Sequence, residues 1–405
     1  MKLYRGVRLA AAVLTATMLT ACGGTAIQGA PTRDQPDASA FDVGNYQVKP
    51  REVGNAKSMN QARAFEAQRL ADYVALPFEV DPTYQLDNRY RDTLVPPTQI
   101  VLNRKGLGRL VINDTFDEVA EDLVAGWLNT WSTQPNEQDK HRKLHLAVLE
   151  FPDAATADKV GPTLEHDDFT FNRDNEPVAI TKYPKTFAHW RPTVSSIGSW
   201  TVHDRYVVFI KVEDETSAPD LPALTSQVER ALAVQLPLLD KFVPTPKDKL
   251  EHVALDPMGI LSRTLPSDPE HPVRTIPDGF STGRGALSLF NDPDAEMLAQ
   301  WQKDGVELIG FGDAVVFRTS TAEQAKKVWE RWREPKKDQQ ATNAPAKLTD
   351  RVSCVALTYE SQGVTKTSDN ICYLYVDRYA VQLRNQNLQD LHQKVSAQYV
   401  LLTRR

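Results

Sequence analysis

One cysteine near the N-terminus has the surroundings that bacterial lipid modification requires. Three cations lie within the first eight residues, and residues 9–21 (LAAAVLTATMLTA) then form an uncharged run. A helix needs roughly 20 apolar residues to span a bilayer, so this run is typical of a signal-peptide core. Leu19-Thr20-Ala21-Cys22-Gly23 follows the lipobox pattern of a branched apolar residue, two small residues and a cysteine. We therefore predict a signal peptide over 1–21 and acyl chains such as palmitate on Cys22, anchoring an exported chain to the outer face of the cytoplasmic membrane.

The other two cysteines, Cys354 and Cys372, are eighteen residues apart. If the chain is exported, an oxidising compartment favours a disulfide between them. A metal site built on these two thiols is the competing interpretation. No histidine lies between Val352 and Tyr379 to complete such a site, so we predict the disulfide.

Ser281 lies in Gly279-Phe280-Ser281-Thr282-Gly283, which fits the G-x-S-x-G pattern of serine hydrolases. That chemistry needs a strand before the serine and a helix after it, so that a strained turn exposes the hydroxyl. The flanking residues instead indicate a loop that leads into a strand. A glycine-rich turn is the preferred interpretation, and a hydrolase or esterase using Ser281 with a histidine stays as the alternative.

The histidine pairs do not predict a metal site. His141 and His145 have the spacing of zinc ligands on a helix, but residues 144–151 (LHLAVLEF) indicate a strand, on which the two residues are ~13 Å apart. His166-Asp167-Asp168 offers an imidazole and two carboxylates, but the surrounding residues predict a solvated polar loop.

Asn172, Asp174 and Glu176 resemble the start of a calcium-binding loop. The glycine of the sharp turn and the later bidentate glutamate are missing. Phosphate-binding glycine loops are also absent. We therefore predict no metal and no cofactor.

Charge and composition narrow the class of protein further. The 405 residues are 41% hydrophobic and 25% charged, as in ordinary globular proteins, with a net charge of −6 that becomes −9 once residues 1–21 are removed. An acidic chain without a basic, aromatic-rich patch argues against binding to nucleic acid. Apart from residues 9–21 no run approaches spanning length, so the lipid is the expected membrane attachment.

The remaining chain predicts two α+β domains of related structure. After a small, polar tether over 22–44, Ser58 and Gln61 form a capping box for a helix that we expect to reach Pro77. Strands and helices then alternate twice. We predict an N-terminal domain over 45–242, a connection over 243–256 and a C-terminal domain over 257–405, each with an antiparallel sheet and helices on one face.

Three short matches in the same order indicate an internal duplication. Asp204-Arg205-Tyr206 corresponds to Asp377-Arg378-Tyr379, and Gln235 begins a segment that corresponds to the one from Gln398. Upstream, residues 157–160 (ADKV) correspond to residues 325–328 (AKKV). We interpret the two Asp-Arg pairs as tight turns between consecutive strands rather than as ligand contacts.

These features resemble an actinobacterial lipoprotein family of unknown function, domain of unknown function 7373. The resembling segments are residues 42–46 (DVGNY), 66–71 (EAQRLA), 255–257 (LDP), 261–265 (LSRTL) and the C-terminal cysteine pair. The resemblance implies a two-domain protein anchored in the cell envelope, and it implies no reaction.

Without a convincing catalytic set, the sequence favours a non-catalytic binding or interaction module of the cell envelope. Pockets occur preferentially at domain interfaces, so we expect the site in a cleft between the two halves. Envelope lipids or glycolipids, peptidoglycan fragments and partner proteins are the ligand classes to consider.

Overall fold

The first half of the chain builds an antiparallel sheet with helices. The computed structural model describes residues 37–87, 98–112, 114–274, 276–287, 290 and 295–404. Its first eight strands are β1 (Tyr84–Asp87), β2 (Gln99–Ile100), β3 (Ala125–Thr133), β4 (Arg142–Glu150), β5 (Glu176–Ala179), β6 (Thr186–Trp190), β7 (Ser196–His203) and β8 (Tyr206–Asp214). The helices of this half are α1 (Met59–Ala71), α2 (Pro77–Val80), α3 (Phe116–Val119), α4 (Ala154–Thr170) and α5 (Leu221–Leu239).

The second half repeats this plan. Its strands are β9 (Gly279–Ser281), β10 (Val306–Phe311), β11 (Ala314–Thr319), β12 (Gln339–Thr342), β13 (Val352–Ser361), β14 (Val364–Val376) and β15 (Tyr379–Asn385). Helix α6 (Lys247–Leu250) lies in the segment that precedes this half, whose helices are α7 (Arg284–Leu287), α8 (Ala295–Lys303), α9 (Ala322–Trp332) and α10 (Leu388–Thr403).

The helix starts follow from short polar side chains. Ser58 Oγ accepts the N–H of Gln61 before α1, and Asp153 and Thr321 cap α4 and α9 in the same way. These caps pair amides that have no partner inside the helix. The first helix ends at Ala71, earlier than predicted, and Pro77 starts α2 instead of ending α1.

Both sheets have the same strand order, which confirms two related domains of the α+β class. The orders are β1-β3-β4-β8-β7-β6-β5 and β9-β10-β11-β15-β14-β13-β12, with β2 as an additional partner of β3. Asp204 and Asp377 occupy the same β-turn in the two halves, with φ of 49° and 50°. Their turns join β7 to β8 and β14 to β15, as the sequence matches predict.

The helices differ from the prediction because they cover both faces of each sheet. On β4, Leu146 belongs to the core under α5, whereas the alternate residue Leu149 belongs to the core under α4. On β11, Phe317 packs in the cluster that contains α9 residues, and Val316 packs in the cluster that contains α10 residues. Strands with apolar residues on both faces need cover on both sides.

A single core runs from one half into the other. Leu70 on α1, Trp131 on β3 and Phe317 on β11 belong to the same buried cluster. Helix α1 contacts β3 of the first sheet as well as β9 and α7 of the second half. Helix α1 therefore packs against both halves, and the interdomain ligand cleft stays a prediction.

The predicted connection over 243–256 is packed onto α1. The Thr245 N–H donates to Glu66 Oε1 over 2.7 Å, and Thr245 Oγ1 donates to Glu66 Oε2 over 2.7 Å. Leu250 and Leu255 are buried. The domain division at this segment stays a prediction, but its residues contribute to the folded core.

The predicted tether extends less far than residue 44. Phe41 stacks edge-on against Tyr399 of α10, with ring centroids 5.4 Å apart. Val43 and Tyr46 pack against the core of the second half. We call residues 41–46 the strap. Its three apolar side chains explain why this otherwise polar segment folds against α10.

Candidate functional site

Ser281 lies at the end of β9 and is followed by α7, so the local order is strand, turn, helix. This order corrects the loop-to-strand expectation. Ser281 is nevertheless only 2% exposed. It donates to Asp72 Oδ1 over 2.6 Å and accepts the N–H groups of Gly283 and Ala286 at 3.0 and 2.9 Å. A buried hydroxyl with three hydrogen bonds to the protein is not presented to a substrate, so this geometry does not support a nucleophile.

Asp72 instead makes this region a polar junction between the halves. Its carboxylate also accepts the N–H groups of Thr282 and Gly285, both at 2.8 Å. Beside it, Arg284 pairs with Glu79 at 2.5 Å and donates to the Asp72 carbonyl. Residues 66–71 on α1 also connect the halves, since Gln68 donates to the Pro277 carbonyl. These residues join the two halves.

The histidines occupy separate structural positions. His145 lies on β4, as predicted, fully buried, and contacts Thr130 Oγ1 at 3.3 Å and Glu213 at 3.4 Å. Burial lowers the pKa of His145, which favours its neutral form. His141 precedes β4 and lies 3.7 Å from Glu215. Neither histidine belongs to a metal-like cluster in the part of the chain that the structure describes.

His166-Asp167-Asp168 lies in the last turns of α4 rather than in a loop, because the helix continues through Pro162 to Thr170. Asp168 accepts the indole N–H of Trp200 at 3.2 Å. Burial raises the pKa of Asp168. Asn172 accepts the N–H of Asp174 within an ordinary turn, and Glu176 starts β5. The calcium-like spacing is thus divided between a turn and a strand.

The disulfide between Cys354 and Cys372 is present. The two cysteines are paired directly across β13 and β14. His392 on α10 lies close to both sulfur atoms. It lies outside the interval between Val352 and Tyr379, the only one considered for a histidine ligand in the sequence analysis. Both sulfurs are already in the disulfide, and His392 Nε2 lies 2.7 Å from the Asn343 carbonyl oxygen. Thiolate ligands would exist only after reduction.

We expect thiol labelling of denatured, unreduced protein to detect neither Cys354 nor Cys372. Replacing both by serine is expected to destabilise the fold by about 3 kcal/mol, since the disulfide restricts an 18-residue loop in the unfolded chain. Urea denaturation of the double variant measures this loss. Labelled cysteines in oxidised protein would contradict the disulfide.

A pocket of about 220 Å³ opens beside the N-terminal part of α5. Its lining comes from β1, β4, β8, α5 and the turns before β7 and after β8. The lining residues are Tyr84, Arg142, Ser195, Val212, Asp214, Ser217, Asp220, Ala223, Leu224, Ser226, Gln227 and Arg230. One water takes about 30 Å³ in the liquid, so the pocket has room for several waters or for a ligand side chain.

Three polar atoms of this pocket have no hydrogen-bond partner among the described residues. They are Tyr84 Oη, Ser195 Oγ and Gln227 Oε1. Tyr84 is fully buried and Gln227 is 6% exposed. Leaving a buried polar atom unpaired costs about 1–3 kcal/mol each, so three such atoms around one cavity are unusual. These three atoms are the candidate recognition groups of the pocket.

The donors and acceptors of the pocket are held in fixed orientations. Gln227 Nε2 donates to Asp81 Oδ2 over 3.1 Å, which turns its Oε1 acceptor to the other side of the amide. Arg142 donates to Thr83 Oγ1 over 2.6 Å and lies over the Tyr84 ring at 5.6 Å from the centroid. The site therefore presents a preoriented acceptor, two hydroxyls and cationic guanidinium groups.

Two pKa shifts describe the electrostatics of this region. Burial raises the pKa of Tyr84 to about 12, so its hydroxyl stays a neutral donor and acceptor. Burial alone would raise the pKa of Asp81, but hydrogen bonds from Thr83 and Gln227 and the charge of Arg142 outweigh it and lower the pKa. Asp81 therefore stays ionised and keeps Gln227 in place.

No sequence pattern indicates this pocket. Tyr84, Ser195 and Gln227 are far apart along the chain and form no motif. Only the folded sheet brings the turn before β7 next to α5 and β1. The predicted lipidation site, Cys22, lies outside the described residues. Among the residues that the structure describes, no helix combines the length and the apolar character needed to cross a membrane.

Comparison with known proteins gives matches along most of the chain. The models of the "Domain of unknown function (DUF7373)" match its N-terminal part to residues 53–255 and its C-terminal part to residues 260–405. A search of curated proteins found no match. Among solved structures, the extracellular domain of PknH from Mycobacterium tuberculosis aligns at 11% identity with a TM-score of 0.29, covering 43% of this chain and 97% of that domain.

Proposed function

Since this chain belongs to the DUF7373 family, a two-domain family without an assigned activity, we propose that it is a non-catalytic binding module that takes a polar ligand in the α5 pocket. The observation behind this proposal is that three buried polar atoms without a partner among the described residues converge on one cavity. Binding sites keep such groups at a cost in stability and use them to recognise the ligand.

The pocket specifies the chemistry of the ligand. Gln227 Oε1 is an acceptor only, so the ligand must provide a donor there. Tyr84 and Ser195 hydroxyls exchange hydrogen bonds in either direction. Arg142 and Arg230 favour an acceptor with negative charge. A ligand with a hydroxyl or amide donor and a carboxylate fits this set.

Replacing Tyr84 by phenylalanine tests the site directly. We expect Tyr84→Phe to stabilise the free protein by up to about 1 kcal/mol, because it removes an unpaired buried hydroxyl, and to reduce the amount of co-purifying ligand. Thermal unfolding measures the first effect, and native mass spectrometry of freshly purified protein measures the second.

Ser132→Ala is the matched control for this experiment. Ser132 Oγ is also buried and unpartnered among the described residues, but Ser132 does not line the pocket. It is expected to change stability similarly and to leave ligand retention unchanged. Equal ligand loss in both variants would contradict a specific site, as would loss of stability in Tyr84→Phe with no change in ligand.

We further propose that the protein works while held at the outer face of the membrane by lipid on Cys22. The support is the signal-peptide and lipobox pattern of residues 1–23 together with the disulfide, which forms in exported proteins. Cys22→Ala is expected to move the protein from the membrane fraction to the soluble exported fraction, as detected by immunoblotting. Full retention in the membrane fraction would overturn the lipid anchor.

A serine hydrolase that uses Ser281 is the other candidate function. Its only structural support is the strand-turn-helix order around Ser281. The buried hydroxyl and its three internal hydrogen bonds argue against it. Hydrolysis of a general ester probe that Ser281→Ala abolishes, in protein that remains folded, would support this alternative over the binding module.

A further inference from the structure

Helices α5 and α10 are equivalent in the two halves, which allows their surfaces to be compared position by position. Gln235 accepts the Ala75 N–H at 2.8 Å and donates to the Tyr73 carbonyl at 3.0 Å. Gln398 accepts the Leu265 N–H at 2.9 Å and donates to the Arg263 carbonyl at 2.8 Å. Each buried glutamine thus forms hydrogen bonds with a backbone N–H and with the carbonyl two residues before it. This shared contact sets the register between the helices.

In the second half, α10 holds the strap through its polar side chains. Tyr46 Oη donates to Asp390 over 2.6 Å, and Gln393 Nε2 donates to both carboxylate oxygens of Asp42 at 3.0 and 3.1 Å. Lys394 lies over the Tyr46 ring, 5.6 Å from its centroid. The strap residues Asp42 and Tyr46, which are four positions apart, are therefore bound by Gln393 and Asp390, which are three positions apart on α10.

The same two helix positions line the open pocket in the first half. Asp390 and Gln393 lie eight and five residues before Gln398. Eight and five residues before Gln235 are Gln227 and Arg230, and both line the pocket. Gln227 Oε1 is an acceptor like the Asp390 carboxylate, and Arg230 is a donor like the Gln393 amide but with a full charge. The chemistry of the pair is preserved.

The pocket is less suited to a sugar ring. Sugar rings bind well when an aromatic face is available for stacking. The aromatic residue of the lining, Tyr84, is fully buried, and Arg142 covers one face of its ring. An extended peptide needs no such face, because hydrogen bonds to its side chains and backbone hold it.

Building on the proposed function, we propose that the α5 pocket binds an extended peptide segment with a carboxylate and a tyrosine-like hydroxyl four residues apart. The hydroxyl would donate to Gln227 Oε1, as Tyr46 does to Asp390. The carboxylate would pair with Arg230, as Asp42 does with Gln393. The segment would come from a partner protein that the membrane-anchored chain captures.

A synthetic peptide with the sequence of residues 40–49 (AFDVGNYQVK) is the first probe, since the chain already binds this segment on α10. We expect it to bind full-length mature protein in fluorescence titrations, and to protect amides of α5 from hydrogen exchange. Arg230→Ala and Gln227→Ala should each weaken binding about tenfold or more. A peptide in which alanine replaces the acid and phenylalanine replaces the tyrosine should not bind.

The matched control is Gln393→Ala, at the equivalent position on α10. If the peptide binds in the α5 pocket, this variant retains the affinity of the wild type. Equal binding to the Arg230→Ala variant, or loss of binding in Gln393→Ala alone, would overturn the proposal. Because the altered peptide needs no protein variant, the test does not depend on whether a mutant folds.

A second pair of outcomes separates this inference from the proposed function. If soluble peptidoglycan oligosaccharides protect α5 while the peptide does not, the ligand class is wrong and the binding pocket stands. If neither probe protects α5 and no ligand co-purifies with the wild type, both the peptide proposal and the pocket as a binding site fail.

Discussion

Asp72→Ala is expected to destabilise the protein by about 2–5 kcal/mol, although Asp72 belongs to no recognised motif. The substitution removes the acceptor of Ser281 Oγ and of the Thr282 and Gly285 amides. Ser281 and Gly285 are buried, so water does not replace the lost bonds readily. A buried donor without a partner costs about 1–3 kcal/mol, and two such donors account for the expected loss.

Urea denaturation followed by circular dichroism measures this loss. Because Asp72 joins the halves, we also expect tryptophan fluorescence and circular dichroism to lose their common midpoint in the variant. Asp158→Ala, at an exposed position of α4, is the control and should change stability by less than about 0.5 kcal/mol. An Asp72→Ala variant as stable as this control would show that the junction contributes little.

Glu150→Gln is expected to stabilise the protein, and more at pH 8 than at pH 5. Glu150 is 1% exposed on β4, and its Oε2 has no partner among the described residues. Burial, followed by repulsion from Glu66, raises its pKa from 4.5 to about 8. The folded protein therefore keeps a proton on this carboxyl that the unfolded chain releases above its ordinary pKa.

The sign of the pH dependence follows from proton linkage. Between about pH 4.5 and 8 the folded state holds more protons at Glu150 than the unfolded state, so stability falls as the pH rises. One pKa unit corresponds to 1.36 kcal/mol, so the loss reaches several kcal/mol near pH 8. The glutamine variant removes this dependence because it does not ionise.

Thermal unfolding of both proteins from pH 5 to pH 8 tests this expectation. The wild type should lose stability across this range relative to Glu150→Gln. Glu229→Gln, at a position near the surface of α5 that pairs with Lys182, is the control and should not reproduce the effect. A constant difference between wild type and Glu150→Gln at all pH values would show that Glu150 ionises normally.

The local elements were predictable because their causes are local. Ser58, Asp153 and Thr321 start helices with their own side chains, and alternating apolar residues produce β4. The duplication could also be recognised from the sequence, since the Asp-Arg turns at Asp204 and Asp377 and the buried glutamines Gln235 and Gln398 occur in both halves. Family membership followed from short segments, and the family models match the chain over residues 53–255 and 260–405, which include the segments 66–71 and 261–265.

The errors came from interactions between distant segments. The sequence around Ser281 contains no sign that Asp72, about two hundred residues earlier, accepts its hydroxyl hydrogen. The helices on both faces were missed because short runs on a strand do not reveal which alternate face is covered. The sequence also contains no sign that apolar residues of α1 belong to a core shared by both halves.

The sequence by itself determined the segments, their order and their duplication, because each depends on neighbours within a few residues. The lipid on Cys22 stays a prediction. Only the tertiary structure decided where polar groups stay unpaired. Tyr84, Ser195 and Gln227 are ordinary residues in the chain. They define a pocket because long-range strand pairing and helix packing enclose one polar atom of each without a partner among the described residues. Hydrogen-bond satisfaction is a property of three-dimensional surroundings, which local sequence does not encode.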